Sequence, residues 1–164
     1  MTSEVTEVMV ESVHVHADSA QHVVLLRERD GERYLPIWIG PWEASAIASR
    51  LQGMLPERPL THDLYTRTLV ELGARVRRVT VSDLTDDTYR ARILLDLDGT
   101  EYDIDARPSD AIALALRTSS PIFVEEAVIQ SARSVESGKE SMDVGRLQKW
   151  LEGLSEDELG KYKM

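Results

Sequence analysis

Acidic and basic side chains crowd into one junction of this 164-residue chain. In YDIDARPSDAIALALR, residues 102–117, Asp105, Arg107 and Asp110 fall between a strand-like run and an alanine-rich, helix-like run. Pro108 suits a first helical position, which makes Arg107 the flanking cap residue and sets Asp110 near exposed backbone amides. An acid there complements the helix dipole, worth roughly 0.3–1 kcal/mol with no catalytic duty. Arg107 has the wrong sign for that end of a helix. Its natural uses are a fork onto Asp105 or Asp110, or onto a substrate phosphate.

Two carboxylates beside an arginine also suit a divalent cation. Mg²⁺ or Mn²⁺ on Asp105 and Asp110, completed by water and phosphate oxygens, would activate water for phosphodiester hydrolysis. No organic cofactor is expected. Other candidate groups lie elsewhere in the chain. Glu43 follows Pro41 as Asp110 follows Pro108, in the short echo IGPWEASAIA and ARPSDAIALA. Convergent helix-start chemistry accounts for that echo without duplication. His62 has the intrinsic pKa of a general base. Arg75, Arg77 and Arg78 form the one compact basic cluster, suited either to phosphate contacts or to an exposed strand edge. His14 and His16 share a strand face, but His22 falls on the other, which leaves no third ligand for a metal.

The elements that must position these groups follow from pattern. Residues 5–15 alternate around Val8, Val10, Val13 and Val15, with a phase shift near Glu11 and Ser12 that predicts a bulged strand. HVVLLRE and RYLPIWI read as a hairpin with Asp30-Gly31 in a type I′ turn. Helices are expected from Pro41 and from Thr61, the latter capped by Thr61 and stopped by Gly73. Strands return in ARVRRVTVSDL and TYRARILLDL. A two-residue Asp98-Gly99 turn pairs Leu97 with Thr100, Asp96 with Glu101, Leu94 with Asp103 and Arg92 with Asp105. Alternation then puts Ile93, Leu95, Leu97, Tyr102 and Ile104 on a core side and the acids on a solvated face. The third helix and a short strand, PIFV, complete an α+β domain over residues 1–130 with a largely antiparallel or mixed sheet. Residues 131–142 read as a polar linker, and 143–164 as an amphipathic helix and tail with Leu147, Trp150, Leu151 and Leu154 on one face.

Composition narrows the function classes. Of the net charge of −10, residues 1–130 hold −9, from 13 Lys/Arg against 22 Asp/Glu. That balance opposes tight, nonspecific duplex binding, which draws on basic patches. The chain has no cysteine, which fits a reducing, cytoplasmic setting and removes thiolate chemistry. MTSEVTEVMVESV lacks the basic start and apolar centre of a signal peptide, and no run of about 18 apolar residues predicts a membrane span.

Three blocks carry a resemblance: LPIWIGPWEASAIASRLQG, RPLTHDLYTRTLVELGARV, and IDARPSDAIALALR followed by PIFV. In that order, over residues 8–130, they resemble the bifunctional nuclease (DNase/RNase) domain family. The resemblance implies a compact α+β fold, homo-oligomers, and hydrolysis of DNA and RNA backbones as substrates. Glu43, His62, Asp63, Asp105, Arg107, Ser109 and Asp110 lie within its blocks. On this reading Asp105 and Asp110 take the metal side, Arg107 and Ser109 hold substrate, and Glu43 and His62 assist. The alternative is a non-catalytic regulatory or scaffolding domain acting through a ligand cleft or a protein interface.

Overall fold

A computed structural model describes residues 4–15, 21–132 and 135–136. Its elements are β1 (Val5–Val15), β2 (His22–Glu28), β3 (Arg33–Ile39), α1 (Pro41–Leu51), α2 (Thr61–Glu71), β4 (Ala74–Thr85), β5 (Thr88–Leu97), β6 (Thr100–Ala106), α3 (Pro108–Thr118), β7 (Ile122–Glu125), α4 (Glu126–Ser131) and β8 (Val135–Glu136). The strands form one sheet in the order β6-β5-β4-β7-β1-β2-β3-β8. Neighbours run antiparallel except β4 and β7, which run parallel. The fold is therefore α+β with a mixed sheet, as expected. Helix α4 has six residues, too few for a helical period to show in sequence. His16, most of the 131–142 segment and the 143–164 segment lie outside the described residues.

Local chemistry explains most boundaries. Strand β1 shifts register between Val10 and Ser12, where the alternation changed phase. Asp98 and Gly99 take φ of 51° and 83°, as a type I′ turn requires, and the β5–β6 pairs are those read from sequence. A second two-residue turn, Asp86-Asp87, also has both φ values positive, 51° and 60°. The Asp30-Gly31 connection differs from expectation. Neither residue has positive φ, and four residues separate β2 from β3. Gly31 is needed there for space, because a Cβ would run into the Glu28 carboxylate. That carboxylate accepts from the backbone N–H of Arg33 at 3.0 Å, and Arg33 also forks onto Glu126 of α4 at 2.6 and 3.0 Å.

Helix α3 sits at the centre of the helical layer. It packs against α1, α2, β4 and β5, and Ala111 through Ala115 are all buried. The alanines let neighbouring elements approach closely, while fully burying Ile112 and Leu114 contributes about 1.5–3 kcal/mol each. This helix layer stops short of the sheet edge. Tyr102 and Ile104 pair with Leu95 and Ile93 and share their face, yet they are 47% and 38% exposed. The expectation that both belong to the core is corrected: β6 is an outer strand, and among the described residues no element covers that face of it. No helix among the described residues is long and apolar enough to cross a membrane.

A candidate active site at three helix starts

Helices α1, α2 and α3 begin close together, and their first turns carry the charged groups. Pro41 and Pro108 both occupy first helical positions, so Glu43 and Asp110 each stand at the third. Arg107, the residue before Pro108, reaches both. Its Nε donates to Asp110 Oδ2 at 2.8 Å, Nη2 to Asp110 Oδ1 at 3.2 Å, and Nη1 to Glu43 Oε1 at 2.9 Å. A cation at a helix N-terminus is thus answered by two carboxylates, one from each Pro-initiated helix. Gly40 leaves room for this arrangement, since a Cβ there would collide with the Glu43 carboxylate.

His62, in the first turn of α2, completes the group. Its Nε2 lies 2.8 Å from Asp110 Oδ1. The hydrogen bond to His62 holds the Asp110 carboxyl down at about 2, with Arg107 adding to the effect and partial burial opposing it. An ionised carboxylate only accepts, so Nε2 carries the hydrogen and Nδ1 is the acceptor of the neutral ring. Neighbouring Asp63 does different work. It accepts from the Leu60 backbone N–H at 3.0 Å and from Arg117 Nε at 2.7 Å. Leu60 is therefore the cap residue and Thr61 the first helical one, a correction to the expected cap. The Arg117 side chain is 5% exposed and also donates to the carbonyls of Ala113 and Ala46, at 2.9 and 3.1 Å. Arg117 escaped the sequence reading. The signal for it was a spacing of seven from Asp110, two turns along the same face of α3.

The other candidates are placed as follows. Asp105 stands on β6 opposite Arg92, whose Nη1 lies 3.9 Å from it, and the fork on Arg107 is made by Asp110 and Glu43 instead. Among the described residues no three His, Asp or Glu side chains are placed to hold a metal ion. Ser109 is 1% exposed, inside the helix layer and out of reach of a substrate. Arg75, Arg77 and Arg78 lie on β4. Arg77 pairs with Asp96, Arg78 stands 6.0 Å from the Phe123 ring centre, and Arg75 and Arg77 line a groove of about 480 Å³ at the far end of α3. That end is about 15 Å from Arg107 by helical rise, so the cluster is separate from the helix-start group. His14 bonds Ser12 Oγ at 2.6 Å, burial pushes its pKa down, and His22 falls on the opposite strand face, as expected.

The arrangement combines a histidine oriented by an ionised aspartate with an arginine held in a fixed pose. Three of the five guanidinium N–H donors are used by Asp110 and Glu43. Two have no partner among the described residues, on a side chain 55% exposed. Ion pairs on an arginine this open are worth about 0–1 kcal/mol each, so its ties to Asp110 and Glu43 fix its pose more than they stabilise the fold. His62 also lines a groove of about 560 Å³ between α1, the α1–α2 connection and α2.

Fold and site together define an α+β domain with an open His-Asp-Arg-Glu cluster at its helix starts. Residues 24–137 match the family model described as the bifunctional nuclease domain, and the chain belongs to that family. An uncharacterized protein of Mycobacterium tuberculosis is 42% identical over 160 residues, covering 96% of this chain and 90% of the relative. Bifunctional nuclease 1 of Arabidopsis thaliana is 30% identical over 129 residues, 74% of this chain but 40% of the plant protein. Bifunctional nuclease 1 of Oryza sativa subsp. indica is 29% identical over 116 residues, 68% of this chain and 35% of the relative.

Proposed function

We propose that this chain hydrolyses phosphodiester bonds of nucleic acid at the helix-start cluster, with His62 as general base and Arg107 as phosphate clamp. The observation that carries this reading is the His62–Asp110 bond beside the two spare donors of Arg107. In the proposed step, Nδ1 of His62 takes a proton from the attacking water as its oxygen bonds to phosphorus. Asp110 fixes the ring through Nε2–H and stabilises the imidazolium that results. The spare guanidinium donors bind non-bridging phosphate oxygens, where charge develops. The P–O bond to the leaving sugar oxygen then breaks, and that oxygen takes its proton from solvent. Glu43 holds Arg107 and touches no reacting atom. Family membership and the plant bifunctional nucleases support nucleic acid as substrate.

A divalent cation has no ready cage in this cluster. Both Asp110 oxygens are bonded to His62 or Arg107, and no three His, Asp or Glu side chains among the described residues are placed to share an ion, so the proposed step uses side chains and water alone. Self-association is a further part of the proposal, supported by the uncovered Tyr102 and Ile104 on outer strand β6. Light scattering on the intact chain tests it, with a purely monomeric mass counting against it. For the hydrolytic reading, purified protein is incubated with single-stranded and duplex DNA and RNA. Cleavage is expected, and its loss is expected in His62→Ala and Arg107→Ala. Intact substrates across acid, neutral and alkaline pH would sink the hydrolase reading, and cleavage unchanged in both variants would sink the site.

A further inference from the structure

We propose that the groove beside His62 receives one unpaired nucleobase, stacked on Trp42, so that the site selects single-stranded nucleic acid. This rests on the hydrolytic reading above and names its substrate class. Trp42 is 85% exposed at the second position of α1, one residue before the Glu43 that holds Arg107. Pro41 and Glu43 already serve the helix start, and the indole lies outside the core. The groove that Trp42 flanks is about 560 Å³, within the range of small-ligand sites, about 300–1,000 Å³. Met54, Leu55 and Leu60 give it an apolar wall, and Ser45 and Thr61 offer hydroxyls. Such a space admits a flat heteroaromatic ring detached from its neighbours, whereas a base inside a duplex stays stacked and paired.

Position links the groove to the chemistry. His62 lines the groove and bonds Asp110, so a base lodged there brings its own phosphate to His62 and Arg107. Charge points the same way. Residues 1–130 carry no lysine and a balance of −9, which deprives the domain of long-range attraction to a polyphosphate backbone. Affinity must then come from close contact, and base stacking on an aromatic side chain supplies it for any base.

The test uses the full chain carrying His62→Ala, which stops turnover during binding measurements. A fluorescein-labelled oligonucleotide is titrated as a single strand and as a duplex, with and without Trp42→Ala or Trp42→Phe. Trp42→Ala is expected to weaken single-strand binding about tenfold or more, with a much smaller change on the duplex, and Trp42→Phe is expected to recover most of the loss. Equal losses on both substrates, or no loss on either, overturn the proposal. So does a change in molecular mass with Trp42→Ala while oligonucleotide binding stays the same, because the groove then belongs to a second copy. If the unmutated chain cleaves nothing yet binds single strands through Trp42, the hydrolytic reading fails and the base site stands. Cleavage that depends on His62 but ignores Trp42 has the opposite meaning.

Discussion

Nε2 of His62 and Oδ1 of Asp110 stand 2.8 Å apart although 48 positions separate them in the chain. The bond joins the first turn of α2 to that of α3, and Arg107 and Glu43 extend it to α1. If it serves general-base catalysis, removing the imidazole should lower kcat by about 10²- to 10⁴-fold with the fold intact. Asp110→Asn should also lower kcat, because a neutral amide no longer favours the Nε2–H tautomer or the imidazolium. Steady-state kinetics on a defined oligonucleotide, with circular dichroism to verify folding, checks both. A fall in KM-dependent binding alone, with kcat unchanged, would assign His62 to substrate positioning.

Arg107→Lys separates charge from geometry. Lysine keeps the positive charge but cannot span Asp110 and Glu43 while presenting two further donors to a phosphate. The expected result is a kcat/KM lowered by about tenfold or more, the cost of roughly one charge-assisted hydrogen bond, with Glu43→Gln giving a smaller change in the same direction. An Arg107→Lys variant with unaltered KM and kcat would leave the arginine a purely structural tie.

Much of this arrangement was legible in the sequence, and the parts that were not have physical reasons. The repeated pattern of Pro followed two residues later by an acid fixed Glu43 and Asp110 at equivalent helix positions, and both carboxylates hold Arg107. The β5–β6 register was legible because Asp98-Gly99 permits one turn geometry. That register already set Arg92 against Asp105, where Arg92 bonds Asp103 and approaches Asp105 only to 3.9 Å, so proximity in sequence to Arg107 was the weaker guide. The approach of α2 to α3 depends on packing over Leu69 and the buried face of α3, which no local pattern encodes. Tyr102 and Ile104 alternate like core residues because they share a face with Ile93 and Leu95. Only the extent of the helix layer decides that they remain exposed.

Arg117 offers a structural control. Its side chain is buried and serves Asp63 and two backbone carbonyls, two turns along α3 from Asp110. Replacing it with methionine leaves the half-buried Asp63 carboxylate with only its Leu60 N–H, at a cost of about 1–3 kcal/mol. Urea unfolding should show the midpoint falling sharply. His62→Ala measured in the same way should shift it much less, which would separate loss of activity through chemistry from loss through folding.

Chelation tests the donor set. Because Asp110 is occupied by His62 and Arg107, hydrolysis is expected to persist in EDTA at saturating substrate. Abolition by EDTA with recovery on adding Mg²⁺ or Mn²⁺ would instead place a cation between Asp110 and the substrate phosphate, displacing one of the present bonds. Repeating the titration with Asp105→Asn distinguishes the carboxylates, since Asp105 should have no effect on either outcome.

Acid should weaken the cluster in a defined window. The Asp110 carboxyl titrates at about 2 in the folded chain against an ordinary value of 3.8, so between those values the unfolded chain binds more protons than the folded one. Stability must therefore rise with pH across the window and be lost as pH falls through it. Asp63, Glu28, Glu126 and Asp96 are also held below their ordinary values, by Arg117, Arg33, Arg33 and Arg77 respectively, which steepens the dependence. Denaturation midpoints measured from pH 6 downward should decline progressively below about pH 4. Asp110→Asn should begin from a lower midpoint and decline less steeply, because its contribution no longer titrates. A variant whose decline parallels that of the unmutated chain would mean that His62 and Arg107 do not hold Asp110 ionised in solution.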